Sequence, residues 1–215
     1  MPSRSFAFAT LLLLVSASFA EAASFGFYLG DDAALGLSMV DRGTPDGANA
    51  GNVTYAFPNA AASFTVGSAA MRLTEVNFWS DSTSGTVTPF VATYNGLGIA
   101  DRLNYSILLE GDPIAVTSTG VNNHAFTVSG AAPTIALPPG TQLIAGFHQS
   151  LGVIPFSGTG TADYLNINGD VVPATFPNPF TQNATHSALT RTYAFNVGGG
   201  QLIPEPSTAL LLGLG

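Results

Sequence analysis

The sequence predicts an all-β fold: a two-sheet antiparallel β-sandwich, jelly-roll-like, with about ten strands. Three observations carry that expectation. Short runs alternate apolar and polar residues with the period of two that a half-buried strand requires. Gly, Pro, Asn and Asp turn signals interrupt the chain every ten or so residues. No stretch of the body shows the roughly 3.6-residue apolar period of an amphipathic helix.

The candidate strands follow in chain order. Phe25, Phe27 and Leu29 alternate at the start of the body. Val53, Tyr55 and Phe57 end at Pro58, and Phe64 with Val66 ends at Gly67. Leu73 falls out of phase with Val76 and Phe78, which predicts a β-bulge near Thr74 and Glu75. From Thr86 to Tyr94, Val87, Pro89 and Val91 share one face, and Phe90, Ala92 and Tyr94 share the other. Asn95-Gly96 follows as a hairpin signal, because both residues tolerate positive φ. Tyr105, Ile107 and Leu109 alternate next and stop at Gly111-Asp112-Pro113. Phe126 with Val128, Leu143 to Phe147, Val153 to Phe156, Leu165 with Ile167, and Leu189 to Val197 complete the set. The segment from Pro173 to Pro179 reads as a Pro-rich loop.

Composition narrows the function classes. Hydrophobic residues make up 46% of the chain, enough to build a core. Charged residues are only 8%, against about 25% in typical globular proteins. Lysine is absent, so Ser, Thr, Asn, Gln and Gly must solvate the surface, as in extracellular adhesive and lectin-like domains. The net charge is −8, and Arg42, Arg72, Arg102 and Arg191 are the cations of the body. Without clustered cations there is nothing to neutralise phosphates, which argues against nucleic acid as a partner. There is no cysteine, which excludes disulfides and thiolate chemistry.

Candidate chemistry is sparse. Glu75 and Glu110 are the only glutamates of the body, and His124, His148 and His186 the only histidines. No Gly-x-Ser-x-Gly elbow is present. These residues predict no catalytic site, with a secreted hydrolase as the remote alternative. His124 shares strand parity with Phe126 and Val128 and reads as a core-edge residue. Asp163, Asn166, Asn168 and Asp170 place four oxygen-bearing side chains in eight residues. Two readings stand: an Asx-rich hairpin turn, or a Ca²⁺ site, since Ca²⁺ takes hard oxygen ligands. Trp79 is opposite in parity to Val76 and Phe78 and reads as outward-facing, beside Asn77 and Asp81. An exposed aromatic flanked by amides and carboxylates would suit a carbohydrate; a rim-capping aromatic is the other reading. Tyr94 beside Asn95 and Tyr164 beside Asn166 repeat the pattern.

The two ends speak of export. Arg4, an apolar run from Phe6 to Val15 and the small residues at Ala20-Glu21-Ala22 have the form of a removed signal peptide. Cleavage by signal peptidase is expected after Ala22, leaving Ala23 first. At the other end, Pro204-Glu205-Pro206-Ser207 runs into the apolar Ala209 to Leu214. Pro204 and Pro206 lack backbone donors and cannot join a central strand. Gly198-Gly199-Gly200 upstream reads as a flexible hinge.

This pairing of signals resembles the PEP-CTERM sorting proteins of bacteria. The resemblance implies that Pro204, Glu205, Pro206 and Ser207 form a sorting motif processed by exosortase, a membrane enzyme. Membrane contact would then be transient and made through the tail. A spanning helix takes about 20 residues. The segment after Pro206 ends at Gly215 and no Arg cluster follows, so the tail reads as truncated. The expected partition is a signal peptide at 1–22, a sandwich at 23–197, a flexible linker at 198–203 and a sorting tail at 204–215. The expected function is an exported surface or matrix protein with a non-catalytic, structural or adhesive role with exopolysaccharide. A carbohydrate-binding module is the alternative.

Overall fold

A computed structural model describes residues 24–31, 53–56, 64–66, 70–94, 105–150, 153–167 and 185–202. Its elements are all strands. One sheet runs in the order β1 (Ser24–Leu29), β13 (Phe195–Leu202), β4 (Ala70–Ser80), β8 (Gly120–Ala125), with β9 (Thr134–Ala136) also on β4. The other sheet runs β12 (Thr185–Tyr193), β11 (Phe156–Ile167), β2 (Val53–Ala56), β10 (Gln142–Gln149), β5 (Thr86–Tyr94), β6 (Tyr105–Glu110). There, β3 (Phe64–Thr65) also pairs with β10 and β7 (Ile114–Ala115) with β5. Every pairing is antiparallel, and the first strand pairs with the last. This is the expected two-sheet sandwich, with thirteen strands among the described residues where about ten were read.

The core lies between the sheets. Phe27, Leu73, Val76, Phe78, Phe195 and Val197 face it from the five-stranded sheet. Val87, Val91, Leu143, Ala145 and Phe147 meet them from the other. Aromatic contacts join the layers: Phe147 lies 4.7 Å from Phe195, and Phe27 stacks on Phe64 at 4.6 Å.

The β4 bulge is where the phase of the sequence placed it. Gly198 of β13 pairs with Glu75 and Gly199 with Leu73, so Thr74 is the extra residue. The bulge lets Leu73 and Val76, three apart in sequence, both bury fully.

The Gly198–Gly200 hinge is corrected. All three glycines belong to β13 and pair with β1 on one side and β4 on the other. Gly198 and Gly199 are there for close approach. A Cβ on Gly199 would run into the Arg72 carbonyl oxygen and stand 2.9 Å from the Phe27 ring. A Cβ on Gly198 would meet the Glu75 carboxylate at 2.5 Å and the Tyr28 ring at 2.7 Å. The sandwich therefore extends to Leu202, past the boundary expected at 197.

The run from Leu189 to Val197 is also corrected. It is two strands in two sheets, switching at Ala194: Tyr193 pairs with Phe156 and Phe195 with Phe78. Tyr193, Phe195 and Val197 all bury against one core, so the alternation passes through the switch unbroken. Of the expected strand from Val153 to Phe156, Val153, Ile154 and Pro155 precede β11, whose first residue is Phe156. The Asn95-Gly96 signal and the loop from Pro173 to Pro179 lie outside the described residues, although β5 and β6 do pair as a hairpin with Tyr94 opposite Tyr105.

Candidate functional site

Two surface regions and the paired chain ends carry what the fold can offer a partner. The first region surrounds Trp79 on β4. Asn77 does not face solvent beside it, as the parity reading expected. It is 2% exposed, and its side-chain NH₂ donates to the Asn196 amide oxygen at 3.0 Å. The two amides sit opposite each other across the β4–β13 pair and satisfy one another, which is what keeps polar groups buried there. Trp79 itself is half-buried, and Asp81, just past the strand, is exposed. Across the strand pair, Trp79 faces Val121 of the edge strand β8, which is 45% exposed. Of the three residues grouped from sequence, Trp79 and Asp81 remain accessible and Asn77 is withdrawn. Tyr94, read with Asn95 as another sugar-facing aromatic, is only 3% exposed.

The second region is a cleft of about 590 Å³ at one end of the eight-stranded sheet. Strand register builds it. Gln142 of β10 stands opposite Thr65 of β3 on one side and Tyr94 of β5 on the other. One step along, Thr93 stands opposite Ser106 of β6. The turn residues Gly140 and Thr141 close the wall. That turn is held by Thr141, whose hydroxyl donates to the Pro138 carbonyl at 2.7 Å, and by the Gly140 N–H, which donates to the Val66 carbonyl at 2.8 Å. Among the described residues the lining carries hydroxyls and one primary amide, and no carboxylate or cation. Sequence reading missed this site. Its parts come from four separated segments, and a lone Thr or Gln at a strand end gives no local signal.

The other candidates separate. Glu75 lies on β4 in one sheet and Glu110 on β6 in the other. The Tyr28 phenol hydrogen-bonds the Glu75 carboxylate, and burial together with that neighbour pushes the phenol pKa up to about 12. His124 lies on β8, His148 on β10 and His186 on β12, so the topology does not gather them on one strand pair. His124 stacks on Phe78 at 5.7 Å, at the core edge as its parity implied. Burial lowers the pKa of both His124 and His148 and favours their neutral forms. Of the Ca²⁺ candidates, Asp163 and Asn166 belong to strand β11, which contains the strand expected at Leu165 and Ile167. Asn166 is registered between Tyr55 and Thr185. Asn168 and Asp170 lie outside the described residues. Among the described residues, no group of three acidic or histidine side chains is placed to hold a metal.

The expected processing sites, Ala22-Ala23 and Pro204 to Ser207, also lie outside the described residues. Their neighbours do not. Ser24, the first residue of β1, pairs with Leu202, the last residue of β13.

No protein family and no curated protein matches the chain. Among solved structures it is similar to the cysteine protease and lectin-like domains of Cwp84, a surface layer associated protein of Clostridium difficile. The identity is 16% and the TM-score 0.36, over 69% of this chain and 32% of that one.

Proposed function

We propose that this chain is an exported bacterial surface or matrix protein, sorted through its Pro204 to Ser207 tail, whose β-sandwich has a non-catalytic adhesive or structural role with exopolysaccharide. The observation that carries the reading is the β1–β13 pair. Ser24, the first residue of β1, pairs with Leu202, the last of β13, and in sequence the two lie beside the expected cleavage after Ala22 and the Pro204 to Ser207 motif. The strand ends nearest in sequence to the two expected processing sites are thus paired neighbours in one sheet. The low charge content and polar, Lys-free surface suit an extracellular setting.

The test is made in the producing cell, by fractionation, N-terminal sequencing and intact mass. The expected result is an exported protein beginning at Ala23. Replacing Pro204-Glu205-Pro206 with Ala-Ala-Ala should move it from the surface or matrix fraction to the medium or leave its tail unprocessed. A chain retained in the cytoplasm with Met1 intact, or sorting indifferent to the replacement, would overturn the reading.

A further inference from the structure

We infer that the cleft between β3, β10, β5 and β6 is a binding site for a neutral glycan. The inference deepens the exopolysaccharide reading above and rests on it only for the source of the ligand. Three properties of the cleft point the same way.

Its size is the first. About 590 Å³ lies within the range of small-ligand clefts, roughly 300–1,000 Å³. Its chemistry is the second. A sugar hydroxyl both donates and accepts, and so do the Thr, Ser and Gln side chains of the lining. A carboxylate accepts only and a cation donates only, and the described lining residues include neither. Such a wall matches polyol faces and gives an anionic sugar no counter-charge, on a chain whose net charge of −8 already repels it. The third property is that hydrogen-bonding capacity is left over. Among the described residues no hydrogen bond engages the side chains of Thr65, Ser106 or Gln142. The Thr93 hydroxyl reaches the Ser106 carbonyl only at 3.5 Å, a weak bond that a ligand can replace. Register puts Thr65 and Gln142 on one face of the paired strands and Thr93 and Ser106 on the other, and within each pair the spacing is set before a ligand arrives.

The site also differs from the one suggested by Trp79. That residue is on β4 in the opposite sheet, so the two regions can be tested independently.

The experiment is affinity electrophoresis of the full chain in gels containing dextran, galactomannan or the acidic polysaccharide alginate. Retardation by at least one neutral polymer and none by alginate is expected. Gln142→Leu removes the central amide and should weaken that retardation about tenfold, the loss of one well-made hydrogen bond to a ligand. Ser106→Trp fills the cleft from an exposed position, where folding tolerates it, and should abolish binding. Trp79→Ala should leave binding unchanged. Thermal melting of each variant separates a lost site from a lost fold. Absence of retardation by both neutral polymers would overturn the inference. So would equal retardation by alginate, or loss of binding in Trp79→Ala with Gln142→Leu unaffected. The last outcome would keep the adhesive reading and move its site to the other sheet.

Discussion

At the scale of single residues, Gly199 shows how one composition feature supports two opposite structures. A hinge glycine replaced by alanine stabilises a protein slightly, because the unfolded chain loses freedom. Gly199 lies in a central strand, with the Arg72 carbonyl and Phe27 ring where a Cβ would go. Gly199→Ala should therefore destabilise the domain, by about 1–3 kcal/mol, read from urea denaturation. Asp112 is a second residue with a readable consequence. Its carboxylate accepts from the Thr127 hydroxyl at 2.7 Å and from the Ser129 and Gly130 N–H groups at 2.8 Å each. It thereby ties down the two-residue turn between Val128 and Ala131, where Ser129 and Gly130 both have positive φ. The Thr127 bond, then the two backbone bonds, hold the Asp112 pKa below the ordinary carboxylate value. The stability this contributes is present above that ordinary value and is lost as pH falls through the lowered one. Asp112→Ala should flatten the acid limb of a melting-temperature profile. His148 acts at higher pH. Its folded pKa is depressed by burial, so the unfolded state takes up the proton first. Stability should fall as pH drops below the ordinary value of 6.5 and level off beneath the folded pKa. His148→Gln should reduce that step, and the remainder belongs to His124, whose pKa burial also lowers.

At the scale of elements, β4 and β5 explain which strand signals were legible. The bulge in β4 could be read because it breaks the apolar period at Thr74. Deleting Thr74 would leave Leu73 and Val76 two apart, on the same face of a regular strand with no bulge. The expected outcome is that cooperative unfolding is retained, followed by near-UV circular dichroism. Strand β5 carries Pro89, a residue that usually marks an edge. It is tolerated because Pro89 faces the gap between β6 and β7. Phe90 pairs with Glu110 at the end of β6 and Val87 with Ile114 at the start of β7. In the gap, the Pro89 carbonyl accepts from the Gly111 N–H at 2.8 Å. The missing donor of Pro89 points the same way, so no ladder bond is lost. The β12–β13 switch was illegible for the opposite reason. Both strands present the same parity to a single core, so a change of sheet leaves no mark on the period.

At the scale of the whole molecule, the decisive contact is closure of the β1–β13 pair. It joins the first and last described strands in one sheet, and β13 also carries β4. A chain ending at Val197, the boundary suggested by the glycine run, would lose the β13 partners of Ser24 to Tyr28 and of Ala70 to Glu75. It should melt at clearly lower temperature than a chain ending at Ile203, as followed by circular dichroism. The inter-sheet aromatics supply the other global test. Phe147 is fully buried between Phe195 and Tyr193, and Phe147→Ala should cost about 3–5 kcal/mol.

The sequence by itself determined the fold class, the strands of β1, β4, β5, β6 and β10, and the β4 bulge. Each is written in a local alternation of side chains that any paired strand must obey. It also determined that the body lacks thiol chemistry and a basic face, because composition sets those regardless of folding. The tertiary structure alone decided that Gly198–Gly200 is a strand, that Asn77 is sealed by Asn196, and that Thr65, Thr93, Ser106 and Gln142 share one cleft. These depend on which strands become neighbours and in what register, and strand pairing joins residues far apart in the chain, where no local period can record it.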